Sequence, residues 1–173
     1  GQRFVTLLEN HPWFQLTVVA ASARSAGKSY EEAVGPRWAM TTPIPEEAKS
    51  LVVLDALADR ETIASSVDFI FCAVDMKKEE IRALEESYAK LECPVISNNS
   101  AHRWTPDVPM VIPEVNPEHL QVIQAQKSRL GTRRGFIAVK SNCSIQSYAP
   151  ALHPLRRFGI TQILVCTYQA ISG

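Results

Sequence analysis

Cys143 is the residue whose type and setting best suit covalent chemistry. It lies in the segment Ser141-Asn142-Cys143-Ser144, where an extended run at 136–140 gives way to a predicted helix. The first backbone N–H groups of a helix have no helical partner, and their positive potential favours a thiolate over a thiol. We therefore predict that Cys143 is a nucleophile. The alternative is a small buried apolar residue, which is the commoner role of a cysteine outside a disulfide.

The composition favours one globular domain, or one domain with part of a second. The chain has 173 residues, of which 46% are hydrophobic and 21% are charged. Lys plus Arg and Asp plus Glu both number 18, so the near-zero net charge predicts no nucleic-acid partner and no anionic membrane surface. No apolar run approaches the roughly 20 residues of a membrane span, and no basic-then-apolar leader opens the chain. We expect a soluble cytoplasmic protein.

The cysteine pattern predicts reduced thiols and no metal site. The four cysteines are widely spaced, with no CxxC and no Cys/His cluster: Cys72, Cys93, Cys143 and Cys166. Neither a zinc site nor a disulfide framework is therefore indicated.

Apolar runs alternate with helical patterns along the chain, which predicts an α/β fold with a doubly wound parallel sheet. The predicted strands are 16–21, 51–54, 67–73, 94–97, 136–140 and 160–170. The predicted helices are 4–8, 60–65, 77–91, 117–128 and a helix after Cys143 that Pro150 and Pro154 should kink or split. In the helix at 77–91, Ile81, Leu84 and Tyr88 form an apolar stripe, and we assign its charged residues to a solvated face.

The start of the chain resembles a dinucleotide-binding βαβ unit whose first strand lies upstream of Gly1, so we expect a truncated chain. In such a unit the residue about 20 positions after the glycine turn contacts the ribose, with an acid for NAD and an Arg for the 2′-phosphate of NADP. This position offers Ser22, Arg24 and Ser25 without a carboxylate, which favours NADP. A polar solvated loop is an equally good interpretation of these residues alone.

Five motifs together resemble one family, the aspartate-semialdehyde dehydrogenases, in order and approximate spacing. They are SARSAGK at 22–28, SNNSAHR at 97–103, DVPMVIPEVN at 107–116, SNCS at 141–144 and QAISG at 169–173. The resemblance spans the whole chain. The opening Gly1-Gln2-Arg3-Phe4 is similar to the end of the family's glycine-rich turn, which adds to the expectation that the first strand is missing.

The resemblance implies a fold and an activity. Residues 1–140 would be an NADP-binding Rossmann domain without its first strand, and residues 141–173 would begin an α+β catalytic and dimerisation domain. The family reduces L-aspartyl 4-phosphate to L-aspartate 4-semialdehyde and phosphate, in the biosynthesis of lysine, threonine and methionine. Cys143 would form a thioester that hydride from NADPH reduces. The full-length protein would be a homo-oligomer, either a dimer or a tetramer.

The resemblance also assigns roles to individual residues. Asn142 would place the reacting carbonyl, although it also suits a helix cap. Gln169 would lie beside the intermediate, and Arg103 would grip the substrate phosphate with its planar donor fork. The residues assigned to the cofactor are Ser22, Arg24 and Ser25 at the 2′-phosphate, Gly1 at the pyrophosphate, and Asn98, Ser172 and Gly173 near the nicotinamide.

Two alternatives remain open at this point. N-acetylglutamyl-phosphate reductases and malonyl-CoA reductases use the same cysteine chemistry on a similar framework. The family's catalytic histidine lies downstream of QAISG, and His102 is not predicted to be a base, so the chain by itself would be a noncatalytic nucleotide-binding fragment if its termini are genuine.

Overall fold

A computed structural model describes residues 1–168 of the chain. Gln169, Ser172 and Gly173 lie outside the described residues. The helices are α1 (Gln2–Leu8), α2 (Tyr30–Val34), α3 (Glu46–Lys49), α4 (Arg60–Ser66), α5 (Lys78–Lys90), α6 (Ile123–Leu130) and α7 (Cys143–Leu152). The strands are β1 (Val19–Ala21), β2 (Val53–Asp55), β3 (Ile70–Cys72), β4 (Val95–Ser97), β5 (Met110–Val111) and β6 (Ile137–Lys140).

All strand pairs between these strands are parallel, which confirms the predicted α/β class. A four-stranded sheet has the order β3-β4-β6-β5, with Ile70 opposite Val95 and Val95 opposite Ile137. A second sheet pairs β1 with β2, with Val19 opposite Val53. Helix α5 connects β3 to β4, as a parallel pair requires a crossover on one face of the sheet.

The predicted single sheet is divided into these two sheets, and an apolar cavity lies between them. Strands β1 and β3 both line this cavity of about 460 Å³, together with residues of α1 such as Phe4 and of α5 such as Tyr88. Phe4 and Phe71 stack in its wall with ring centroids 4.6 Å apart. Among the described residues, β1 pairs only with β2 and β3 pairs only with β4, so the two strands face the cavity unpaired with each other.

Each sheet has its own apolar core. The core of the smaller sheet includes Val5, Tyr30 and Val53, and the core of the larger sheet is formed by nine buried residues: Ile63, Cys72, Leu84, Tyr88, Ala89, Val95, Val108, Ile137 and Val139. Burial of these side chains is the main force that holds the strands in register.

Gln126 of α6 positions strand β6 from within the core. Its side-chain amide is fully buried, donates to the carbonyls of Asp107 and Ile137 at 2.9 Å each, and accepts the N–H of Ile137 at 2.6 Å. A buried backbone group without a partner is costly, and this amide supplies partners for backbone groups of Asp107 and Ile137. It fixes the start of the strand that leads to Cys143.

Several predicted boundaries were wrong. No strand is present over 160–168; this apolar segment pairs with no strand among the described residues, and a strand persists only when its backbone groups are paired. The helix predicted from 117 begins as a 3₁₀ helix, Pro117–Val122, and becomes α-helical at α6. Asn116 is its N-cap residue and is followed by Pro117 in the first turn, as the sequence predicts. The Asn116 side chain makes no capping bond, because it accepts the Ile112 N–H and donates to the Met110 carbonyl.

The split after Cys143 is confirmed. Helix α7 contains Pro150, and a 3₁₀ helix follows it over His153–Phe158. Gly159 then ends the 3₁₀ helix with a φ of 74°, a left-handed conformation that glycine adopts without a Cβ clash. Within residues 1–168, no helix is both long and apolar enough to cross a membrane.

Candidate functional site

The predicted site residues follow the carboxyl ends of the parallel strands. Strand β4 ends at Ser97 and is followed by Asn98, and β6 ends at Lys140, two residues before Asn142. Ser97 lies opposite both Cys72 and Val139 in register, so the ends of β3, β4 and β6 share one edge of the larger sheet. In open α/β sheets this is the edge at which ligands bind.

Cys143 is exposed and is the first residue of α7. The preceding residue, Asn142, caps the helix, because its Oδ1 accepts the N–H of Ser144 at 2.9 Å. This confirms the predicted helix start and the capping interpretation of Asn142. The cap uses the oxygen of the amide, and Nδ2 is a separate donor group.

The buried cysteines are poor candidates for a nucleophile. Burial raises the pKa of Cys72 to about 12, and it raises the pKa of Cys93 to about 11. Because only the thiolate attacks efficiently, both are inert near neutral pH. Cys143 and Cys166 are the exposed cysteines, and Cys166 lies outside regular secondary structure in the segment 159–168.

Arg103 is brought to the Cys143 segment by the tertiary structure. Its Nε donates to the Lys140 carbonyl at 3.2 Å, and its Nη2 donates to the Ser141 carbonyl at 3.3 Å. A guanidinium has five N–H donors, so these two bonds leave others for an anion. The permanent positive charge of Arg103 is thus fixed against carbonyls that lie two and three residues before Cys143 in the chain.

The loop that carries Asn98 and Arg103 is hydrogen-bonded from the core side by Glu85, a residue that the sequence analysis did not identify. Glu85 of α5 is 0% exposed and accepts hydrogen bonds from Ser97 Oγ at 2.5 Å and Asn99 Nδ2 at 3.2 Å. Its assignment to a solvated face was wrong, because Glu85 points into the same core as Leu84 and Tyr88. The available signal was its position one turn after Ile81, on the apolar stripe.

The predicted cofactor residues Ser22, Arg24 and Ser25 form a turn after β1. Ser25 N–H donates to the Ser22 carbonyl at 2.9 Å, and Arg24 is exposed. The hydroxyl groups of Ser22 and Ser25 and the exposed guanidinium of Arg24 fit a phosphate group. The neighbouring strand β2 ends at Asp55, where a side-chain oxygen accepts the N–H groups of Leu57 and Ala58. Gly1, the N-cap of α1, lines the cavity between the sheets beside Cys72.

His102 has no access to a substrate. It is 1% exposed, and its Nδ1 lies 3.1 Å from Thr105 Oγ1. Burial lowers its pKa, and nearby Glu85 acts in the opposite direction. This agrees with the prediction that His102 is not a base. In the part of the chain that the structure describes, no three His, Cys, Asp or Glu side chains form a group that could hold a metal ion.

Comparison with known proteins decides the family. Residues 1–123 match the family model described as the NAD-binding domain of semialdehyde dehydrogenase. The chain belongs to this family. The structure agrees, because its parallel sheets with covering helices are a Rossmann-type architecture.

Curated relatives of this family match the whole chain. It is 40% identical to an aspartate-semialdehyde dehydrogenase of Methanothermobacter thermautotrophicus, covering 100% of this chain and 48% of the relative. It is 38% identical to the enzyme of the same name from Aspergillus fumigatus, covering 100% of this chain and 46% of the relative. The chain therefore spans about half the length of the curated relatives it matches.

Solved structures of semialdehyde dehydrogenases resemble the described fold. A crystal structure of aspartate semialdehyde dehydrogenase with NADP from Candida albicans is 34% identical, with a TM-score of 0.76, over 92% of this chain and 44% of that chain. A structure of aspartate semialdehyde dehydrogenase II from Vibrio cholerae, 23% identical with a TM-score of 0.60 over 88% of this chain and 42% of that chain, shows the shared fold.

Proposed function

We propose that this chain is the NADP-binding and nucleophile-bearing part of a cytoplasmic aspartate-semialdehyde dehydrogenase. This enzyme would reduce L-aspartyl 4-phosphate to L-aspartate 4-semialdehyde with release of phosphate, in lysine, threonine and methionine biosynthesis. The observation that carries the proposal is the placement of an exposed thiol, Cys143, at a helix start next to the cationic Arg103. The names of the relatives support the choice of substrate.

The first chemical step uses residues of this site. Sγ of Cys143 attacks the acyl carbon of aspartyl phosphate, a C–S bond forms, and the C–O bond to the phosphate breaks with its electron pair leaving on phosphate. Arg103 holds the departing phosphate through the N–H donors that its carbonyl contacts do not use. Nδ2 of Asn142 and the amide of Gln169 orient the acyl oxygen and stabilise its developing negative charge.

The turn after β1 supplies the residues that would bind the 2′-phosphate of NADP. Arg24 with Ser22 and Ser25 would hold the 2′-phosphate, Gly1 would border the pyrophosphate, and the three residues Asn98, Ser172 and Gly173 would lie near the nicotinamide. An exposed guanidinium and two hydroxyl groups suit a doubly charged phosphate. When bound, NADPH supplies the hydride that reduces the thioester.

The proposed domain boundary lies after β6. Residues 1–140 contain the six strands found among residues 1–168, whereas residues 141–173 begin with the Cys143 helix and would start the catalytic and dimerisation domain. The latter part exposes large apolar side chains, including Phe158, Leu164 and Tyr168. This exposure supports a homo-oligomer, dimer or tetramer, in the full-length protein.

The experiment that tests the proposal is an assay of full-length protein with NADPH or NADH. The three acyl donors are aspartyl phosphate, N-acetylglutamyl phosphate and malonyl-CoA. We expect turnover of aspartyl phosphate with NADPH, and a loss of roughly 10³-fold or more in kcat on Cys143→Ser, because a hydroxyl is a far weaker nucleophile. The matched control is Cys166→Ser, which replaces the other exposed cysteine and should retain activity. Preference for N-acetylglutamyl phosphate or malonyl-CoA, or full activity of Cys143→Ser, would contradict the proposal.

A further inference from the structure

Helix α5 carries a carboxylate on its buried face. Glu85 is 0% exposed, and its helical neighbours Ile81, Leu84 and Tyr88 are buried in the core. Burial of a carboxylate is costly unless hydrogen bonds compensate for the lost water. A hydrophobic residue at this position would avoid that cost, so the contacts of Glu85 require an explanation.

These contacts converge on one loop. Oε1 of Glu85 accepts from Ser97 Oγ at 2.5 Å and from Asn99 Nδ2 at 3.2 Å, and Ser97 Oγ accepts the N–H of Asn99 at 3.0 Å. One turn earlier on the same helix, Arg82 Nε donates to the Ala101 carbonyl at 2.7 Å. Helix α5 thus binds the loop at three of its residues, on both sides of Ser100.

The second carboxylate oxygen faces the other end of the loop. Oε2 of Glu85 lies 3.9 Å from Nε2 of His102, and both side chains are 1% exposed. Within residues 1–168 neither atom has a hydrogen-bond partner. His102 is held from its other nitrogen by Thr105, at 3.1 Å. The next residue is Arg103, whose guanidinium contacts the backbone before Cys143.

We infer that Glu85 is a positioning residue for the phosphate-binding arginine. By accepting hydrogen bonds from Ser97 and Asn99 inside the core, its carboxylate fixes the first half of the loop 97–103. Arg82 of the same helix holds the loop further along, at the Ala101 carbonyl. The loop then presents Arg103 to the Cys143 segment. This inference rests on the proposed function, since it assigns Glu85 to the site that binds the substrate phosphate.

The test uses full-length protein and the reverse reaction, with inorganic phosphate, semialdehyde and NADP. Glu85→Leu removes both acceptors at similar volume, whereas Glu85→Gln keeps one acceptor for Ser97 and Asn99. We expect Glu85→Leu to raise the KM for phosphate by roughly tenfold or more. This is the effect of losing about one hydrogen bond between Arg103 and the charged phosphate. The KM for NADP and the kcat at saturating phosphate should change by less than about threefold. Glu85→Gln should recover most of the affinity for phosphate.

Hydrogen exchange measures the loop without reference to activity. In Glu85→Leu, amides of residues 97–104 should exchange faster, while those of β1 and β2 should exchange as in the wild type. Glu79→Gln, the neutralisation of an exposed carboxylate on the same helix, is the control and should change neither measurement. Ser97→Ala removes one of the loop's donors and should shift both measurements in the same direction if Glu85→Leu fails to fold.

Three results would overturn the inference. These are an unchanged phosphate KM in Glu85→Leu and Ser97→Ala, a loss of kcat alone, and faster exchange over the whole sheet instead of the loop. An inactive wild-type protein whose loop loosens in Glu85→Leu but not in Glu79→Gln would contradict the proposed function but would leave the anchoring by Glu85 supported.

Discussion

Asn142 caps helix α7 and also has a proposed chemical role. Its Oδ1 caps α7 at Ser144 N–H, whereas the proposed contact with the acyl oxygen uses Nδ2. Serine caps helices about as well as asparagine but offers no amide. The two roles can therefore be separated by substitution.

We predict that Asn142→Ser keeps the free energy of unfolding and that Asn142→Ala lowers it by about 1 kcal/mol. Both variants should lose kcat by roughly 10²-fold, because both lack the amide donor at the developing oxyanion. Urea unfolding and steady-state kinetics of the full-length protein measure the two effects. Wild-type kcat in Asn142→Ser would show that the amide contacts no reacting atom.

Glu92 organises the turn that leads into β6. Its carboxylate accepts the backbone N–H groups of Arg133, Arg134 and Gly135 at distances between 2.6 and 3.1 Å. These hydrogen bonds, the one from Gly135 first, lower the pKa of Glu92 to about 2 from its usual 4.5. The charged form is therefore more favourable in the folded protein than in the unfolded chain.

This pKa sets the sign of a pH effect on stability. Because the folded-state pKa is lowered, the stabilisation by Glu92 is complete above about pH 4.5 and is lost as the pH falls toward 2. We predict that Glu92→Gln destabilises the protein at pH 7 and that the difference from wild type shrinks between pH 4.5 and 2. Urea unfolding across this range measures it. Glu114→Gln, a change at an exposed carboxylate, is the control, and a difference that grows in acid would contradict the prediction.

At the scale of elements, Gly135 determines how closely β6 approaches α5. A Cβ at this position would lie 1.8 Å from the Ala89 carbonyl oxygen and 3.1 Å from Glu92 Cα, both backbone atoms. Neither can move without displacing the end of the helix. The contact is direct because the strand passes against the helix terminus.

We predict that Gly135→Ala lowers the free energy of unfolding by roughly 2–4 kcal/mol, since the clash is with backbone. Gly35→Ala is the matched control, because a Cβ there meets no atom within 4 Å, and its effect should stay within about 1 kcal/mol. Denaturant unfolding compares the two variants. Equal stability of Gly135→Ala and wild type would show that helix and strand can separate without cost.

At the scale of the whole molecule, two apolar surfaces remain uncovered in the described chain. One is the cavity of about 460 Å³ between β1 and β3. The other is the segment 159–168, in which Leu164 is 90% exposed and Tyr168 is 100% exposed. Both surfaces are of the kind that binds apolar dyes.

We predict that the isolated 173-residue chain binds the dye ANS at pH 7 and that a chain shortened to residues 1–159 still binds it. The shortened chain keeps the six described strands and the cavity, so most of the fluorescence should remain. ANS titration measures the two chains side by side. Loss of the signal on shortening would place the dye on the segment 159–168 instead.

Local patterns were sufficient for most of the elements and for the helix start before Cys143. The alternation of apolar runs and helical stripes, the helix start at Asn142 and the split at Pro150 depend on neighbours within a few residues, and each is confirmed. The segment 160–168 has a strand-like composition but forms no strand, because strand formation depends on a partner that local composition does not report.

Contacts between distant segments were decided only by the tertiary structure. The sequence by itself determined the α/β class, the family, and the position of Cys143 at a helix start, because these follow from local spacing. The burial of Glu85 and the contact of Arg103 with the Ser141 carbonyl join residues 12 and 38 positions apart. Such pairings depend on how the strands align and on which helix face meets the core, and only the packed chain fixes both.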